Sequence, residues 1–141
     1  MSEETLITND LQTFIPMDRR VALVNGNQLP DRTNGAALFA DISGFTPLTR
    51  TLLHELGPRR GAEEILRQIN PVYDALIDEL HRYGGSVIVF AGDSITCWLD
   101  GDDGRRAVMC ALAMQAAMSQ FTTVHSPAGT PISMAVKIAV A

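Results

Sequence analysis

Apolar and polar positions divide the chain into a leader and an α+β core. Residues 36–41 are nearly unbroken apolar sequence, which predicts a central strand buried on both faces and ending at Asp41. Thr46-Pro47 then reads as a helix start, with Thr46 as N-cap and Pro47 at the first helical position. Leu48, Leu52, Leu53 and Leu56 give that helix its apolar face, and Gly57-Pro58 ends it. A longer helix is expected from about Gly61 to Tyr83, with Ile65, Leu66, Ile69, Tyr73, Leu76, Ile77 and Leu80 at steps of three and four. Pro71 lies inside it and should kink it. After Gly84-Gly85, two strands over 86–90 and 94–99 flank the turn Ala91-Gly92-Asp93. A third helix over 105–121, a loop over 126–131 and a strand over 132–141 complete the order βααββαβ. Residues 1–35 read as a leader that packs on the domain formed by 36–141. In it Leu11, Phe14 and Ile15 share a helical face stopped by Pro16, another helical turn or two lies near 18–24, and loops follow.

With 141 residues, 46% hydrophobic and 19% charged, the chain can bury one core. Its net charge of −5 argues against a nucleic-acid partner, which wants a basic face. Lys137 is the only lysine, which leaves almost no room for a lysine-based phosphate clamp. Cys97 and Cys110 lack metal-ligand spacing and sit in apolar patterns, as reduced core residues of a cytoplasmic protein do. The acidic start lacks the apolar run of a signal peptide, and no stretch of about 20 apolar residues suggests a membrane span.

The chemistry sits at two strand ends. Leu38-Phe39-Ala40-Asp41 runs into Ile42-Ser43-Gly44-Phe45-Thr46, and Val87-Ile88-Val89-Phe90 runs into Ala91-Gly92-Asp93. A right-handed crossover makes strands one and two parallel, and the tight turn sends strand three back between them. Asp41 and Asp93 are then expected at the same edge of the sheet. Two such carboxylates repel unless a cation lies between them. Mg²⁺ suits the pair, because it needs only one or two carboxylates beside a phosphate. The carbonyl of Ile42 can complete its shell. The amides of Ser43, Gly44, Phe45 and Thr46, at the start of a helix, can hold phosphate oxygens, with Gly44 and Gly92 giving the turns their freedom.

F-A-D-I-S-G-F-T at 39–46, followed by G-G and F-A-G-D at 90–93, resembles the catalytic domain of class III nucleotidyl cyclases. Within that family it is most similar to the soluble adenylyl cyclase group and its bacterial multidomain relatives. The resemblance covers about residues 36–141. It implies a ferredoxin-like core working as a homodimer or with a second cyclase-like domain. It implies conversion of a nucleoside triphosphate, ATP before GTP, to the 3′,5′-cyclic monophosphate and pyrophosphate with two Mg²⁺ or Mn²⁺ ions. Asp41 and Asp93 match the metal-binding aspartates. Val89 stands where many members carry a base-contacting lysine, and the family's transition-state Asn and Arg lie downstream of residue 141. The chain is therefore expected to be the front part of a cyclase domain, inactive alone.

Other features have plainer expectations. Asp103 is expected to cap the third helix rather than bind calcium, and His54, His81 and His125 are scattered. Arg59-Arg60 begins a solvated helix. Met109, Met114, Met118 and Trp98 belong to the core or, for the methionines, to a dimer surface. A non-catalytic cyclase-like domain that binds nucleotide or dimerises is the competing function. A diguanylate cyclase lacks support because no Gly-Gly-Asp/Glu-Glu-Phe turn is present, and a polymerase palm lacks a basic template surface.

Overall fold

A computed structural model of the chain describes residues 15–141. The expected helical face at Leu11 and Phe14 lies outside the described residues. The elements are α1 (Met17–Val24), β1 (Gly35–Ser43), α2 (Phe45–Arg82), β2 (Ser86–Ala91), β3 (Ser94–Asp100), α3 (Arg105–Met118), β4 (Thr123–His125), β5 (Pro131–Ser133) and β6 (Ala135–Val140). Four strands form a sheet in the order β2-β3-β1-β6, every neighbour antiparallel. With β3 antiparallel to both, β1 and β2 are parallel and separated by it, as the split arrangement requires.

Strand β1 is not buried on both faces. Ala36, Leu38, Ala40 and Ile42 are buried against the helices, while Phe39 and Asp41 are exposed on the other face. The apolar run misled because alanine and phenylalanine tolerate a half-open face as readily as a closed one. The same period holds in β3, where Ile95, Cys97 and Leu99 are buried and Ser94, Thr96 and Trp98 are not. Trp98 therefore belongs to the open face rather than the core. The core joins these inward residues to Leu48, Leu52, Ile69, Val72, Leu76 and Leu80 of α2 and to Ala107, Cys110, Met114 and Met118 of α3.

Helix α2 contains the two helices that the sequence predicts. Gly57 (φ 80°, ψ 174°) breaks them apart, a conformation that only glycine adopts readily. The second half resumes at once at Pro58, which suits a helix start. Gly57 alone leaves helical dihedrals, so the backbone stays helical through Pro71. The helix begins at Phe45 with Gly44 as N-cap, two residues before the expected Thr46. Pro47 still falls within the first turn, where a missing N–H costs nothing.

The last expected strand is two. Met134 separates β5 from β6, and β5 pairs with β4 in a hairpin that the sequence reading missed. Helix α3 stops at Met118 and is followed by a 3₁₀ turn over Ser119–Phe121. Its cap is Gly104 rather than Asp103. Asp102 accepts hydrogen bonds from the amides of Arg106 (3.1 Å) and Ala107 (2.8 Å), and Asp103 accepts one from Arg105 (3.1 Å). Among the described residues no helix is long and apolar enough to cross a membrane.

Candidate active site

Strand register carries Asp41 to Asp93. Asp41 lies opposite Ser94 in the β1–β3 ladder, and the next rung joins the Ile42 amide to the Asp93 carbonyl at 2.9 Å. Asp41 and Asp93, 52 positions apart in sequence, thus become cross-strand neighbours of one another's flanking residues. Asp41 projects on the open face of the sheet and is exposed, while Asp93 is half-buried in the β2–β3 turn. Among the described residues neither carboxylate accepts a hydrogen bond or joins an ion pair. The last rung is also one-sided: no return bond runs from the Asp93 amide to the Ile42 carbonyl. Among the described residues that leaves two carboxylates and one carbonyl as unengaged oxygen donors at one rim.

The turn that carries Asp93 is tied at three successive carbonyls. Ser94 Oγ donates to the Ala91 carbonyl (3.0 Å), Tyr73 Oη to the Gly92 carbonyl (3.2 Å) and the Ile42 amide to the Asp93 carbonyl. The Tyr73 ring meets Phe90 edge to face, with centroids 5.8 Å apart. Burial pushes the Tyr73 hydroxyl above its ordinary pKa, and the Asp93 and Asp41 carboxylates push it further the same way. Both acids therefore act on one side chain from α2, which the sequence reading treated only as part of an apolar stripe.

The β1–α2 junction supplies donors. Gly44 has φ 93°, and a Cβ there would overlap the Ser133 carbonyl oxygen. This tight turn opens α2, and the first helical amides have no intrahelical acceptor. Leu48 is the first to bond back, to the Gly44 carbonyl at 3.0 Å. The amides of Gly44, Phe45 and Thr46 find no backbone partner among the described residues. Of the expected phosphate group, Ile42, Ser43, Gly44, Phe45 and Thr46 are contiguous with Asp41, and Gly92 precedes Asp93 with φ 62°.

Lys137 is a residue that composition alone undervalued. The β1–β6 register sets it directly opposite Asp41, on the same open face. The rim row runs Ala91, Ser94, Asp41, Lys137, and the neighbouring row runs Val89, Thr96, Phe39, Ala139. A hint was present in the sequence: the one lysine lies in an alternating strand pattern, where it must face away from the core. Among the described residues no group of three or more His, Cys, Asp or Glu side chains could hold a metal, so the acidic site is a pair.

The fold is similar to that of solved adenylyl and guanylyl cyclases, a class whose class III members the two motifs resemble. A bacterial light-regulated adenylyl cyclase superposes over 97% of this chain and 40% of that one, with a TM-score of 0.65 and 21% identity. The guanylyl cyclase Cya2 superposes over 75% of this chain and 53% of that one, with a TM-score of 0.55 and 26% identity. Among curated proteins, adenylate cyclase type 10 of Rattus norvegicus is 32% identical over 78 residues, which is 52% of this chain and 5% of that protein. The chain thus spans a small part of the length of the curated relatives that it matches. No family model matches the chain.

Proposed function

We propose that residues 36–141 are the N-terminal portion of a nucleotidyl cyclase catalytic domain preceded by a leader over 1–35. In the natural protein this domain converts ATP, in preference to GTP, to the 3′,5′-cyclic monophosphate and pyrophosphate, in the cytoplasm. The observation that carries the reading is the 2.9 Å bond between the Ile42 amide and the Asp93 carbonyl, which makes neighbours of two strand-end acids with unengaged carboxylates. Their donor set fits a hard divalent cation: two carboxylates and one carbonyl, with Asp41 open to solvent. Asp41, Asp93 and the Ile42 carbonyl would hold two Mg²⁺ or Mn²⁺ ions. When bound, these supply positive charge that acidifies the ribose 3′-hydroxyl and neutralises the triphosphate.

The chain's own groups do the positioning. The amides of Gly44, Phe45 and Thr46 hold phosphate oxygens at the helix start, Ser43 being paired with Ala135 in the β1–β6 ladder, and Gly92 lets the facing turn approach them closely. Lys137, beside Asp41 on the open face, adds the one ammonium within the rim row. Phe39 and Val89, 44% and 49% exposed, continue that face as an apolar surface for a second copy or a second cyclase-like domain. A non-catalytic regulatory domain is the second reading. It is favoured by Val89, an apolar side chain exposed on the open face where the family pattern has a base-contacting lysine.

A cyclase assay on the natural full-length protein with Mg²⁺ or Mn²⁺ separates the readings. Cyclic AMP production that falls to background in Asp41→Asn and in Asp93→Asn is expected, with little turnover from the 141-residue chain alone. A full-length protein that binds nucleotide but never turns it over would leave the regulatory reading standing.

A further inference from the structure

We propose that Tyr73 is a positioning residue for the metal site, acting through its hydroxyl on the turn that presents Asp93. The inference rests on the metal-site reading above. Three carbonyls in the turn are held, but by donors of different origin. Ser94 Oγ belongs to the turn itself, and the Ile42 amide belongs to the neighbouring strand. Tyr73 is the one that reaches in from the helical layer, 19 residues before Gly92 in sequence. Its bond to the Gly92 carbonyl ties the residue immediately before Asp93 to the middle of α2.

Gly92 can change conformation at low cost, because it is exposed and a Cβ there would meet nothing within 4 Å. Neighbouring atoms do not hold it in place by packing, so hydrogen bonds must. Tyr73 is itself fixed. Its half-buried ring lines, with Phe45, Ile69, Ile77 and Phe90, a groove of about 380 Å³ that touches both motif turns. The edge-to-face contact with Phe90 anchors the ring to β2, just ahead of the turn. A rigid aromatic lever thus ends in one hydroxyl on a pliable turn, and the direction of the Asp93 carboxylate depends on that turn. Groups behind metal ligands commonly tune affinity in this way.

Tyr73→Phe removes the hydroxyl and keeps the ring against Phe90. Mn²⁺ binding by the full chain in the presence of ATP, followed by loss of the free Mn²⁺ paramagnetic signal, should weaken about threefold to tenfold, the scale of one hydrogen bond. Amide exchange should quicken at Ile42, whose N–H is bonded to the Asp93 carbonyl, while the middle of α2 stays protected. Phe90→Leu, which leaves the hydroxyl in place, should lower thermal stability with a smaller effect on Mn²⁺. Unchanged Mn²⁺ affinity in Tyr73→Phe, with Asp93→Asn strongly weakened, overturns the role of Tyr73 and leaves the metal site intact. Unchanged affinity in Asp93→Asn removes the metal-site reading itself and this proposal with it.

Discussion

Gly44 concentrates two constraints in one residue. Its φ of 93° lies in the region that side chains avoid, and the Ser133 carbonyl occupies the space a Cβ would need. Gly44→Ala is therefore expected to cost roughly 2–4 kcal/mol, from backbone strain plus displacement of β5. Urea denaturation of the purified chain measures this, and a loss below about 0.5 kcal/mol would show that the turn relaxes freely. The glycine was legible in the sequence as a turn former; its contact with Ser133 was not, because nothing local links positions 89 residues apart. The cysteines were legible completely. Both are buried and unpaired, and burial first, then Cys110, pushes the Cys97 thiol up to about 12. Burial, then Glu79, pushes Cys110 to about 11. Asp41 and Asp93 were legible as a pair because strand order alone determines which rim they reach. Tyr73 was hidden, since its apolar ring satisfied the helical period and drew attention from its hydroxyl.

At the scale of elements, the β4–β5 hairpin depends on a carboxylate from α2. Glu55 Oε1 accepts hydrogen bonds from Ser126 Oγ (2.8 Å) and Thr130 Oγ1 (3.0 Å), while Oε2 is buried with no partner among the described residues. The Ser126 hydroxyl is the largest influence holding Glu55 below its ordinary pKa, against the opposing effect of burial, with Thr130 and the Ala128 amide adding to it. A carboxylate with a lowered folded pKa stabilises above its unfolded pKa, and that contribution disappears as pH falls through the folded value. Amide protection at Ser126 and Thr130 should therefore hold at neutral pH and fade below about pH 4.5, the ordinary glutamate value, while β1 and β3 remain protected. In Glu55→Gln the weakening should be present at every pH. Protection that is independent of both pH and the substitution would contradict the clamp. The sequence reading missed this hairpin because three-residue strands leave too short a period to detect. It placed the longer elements well, since the break at Gly57 and the glycines after α2 are local signals. It erred on the exposure of β1, where burial depends on whether a second layer covers the sheet.

Across the described residues, one face of the sheet carries the helices and the other carries Asp41 and Lys137 at its rim. Register aligns Ala91, Ser94, Asp41 and Lys137 across four strands, with an apolar row through Val89 and Phe39 beside them. The strand order β2-β3-β1-β6 makes this alignment possible, because β3 returns between the two strands whose ends hold the acids. The sequence supplied that order through its punctuation and its two motifs. It did not supply the cross-strand partner of Asp41, which depends on the pairing of the most distant strand. Paramagnetic resonance of Mn²⁺ with the 141-residue chain and a non-hydrolysable ATP analogue is the most direct test of the proposed shared site. Nucleotide-dependent Mn²⁺ binding that is lost in Asp41→Asn and equally in Asp93→Asn is expected. Binding that survives either substitution would mean that the two acids do not act on one ion.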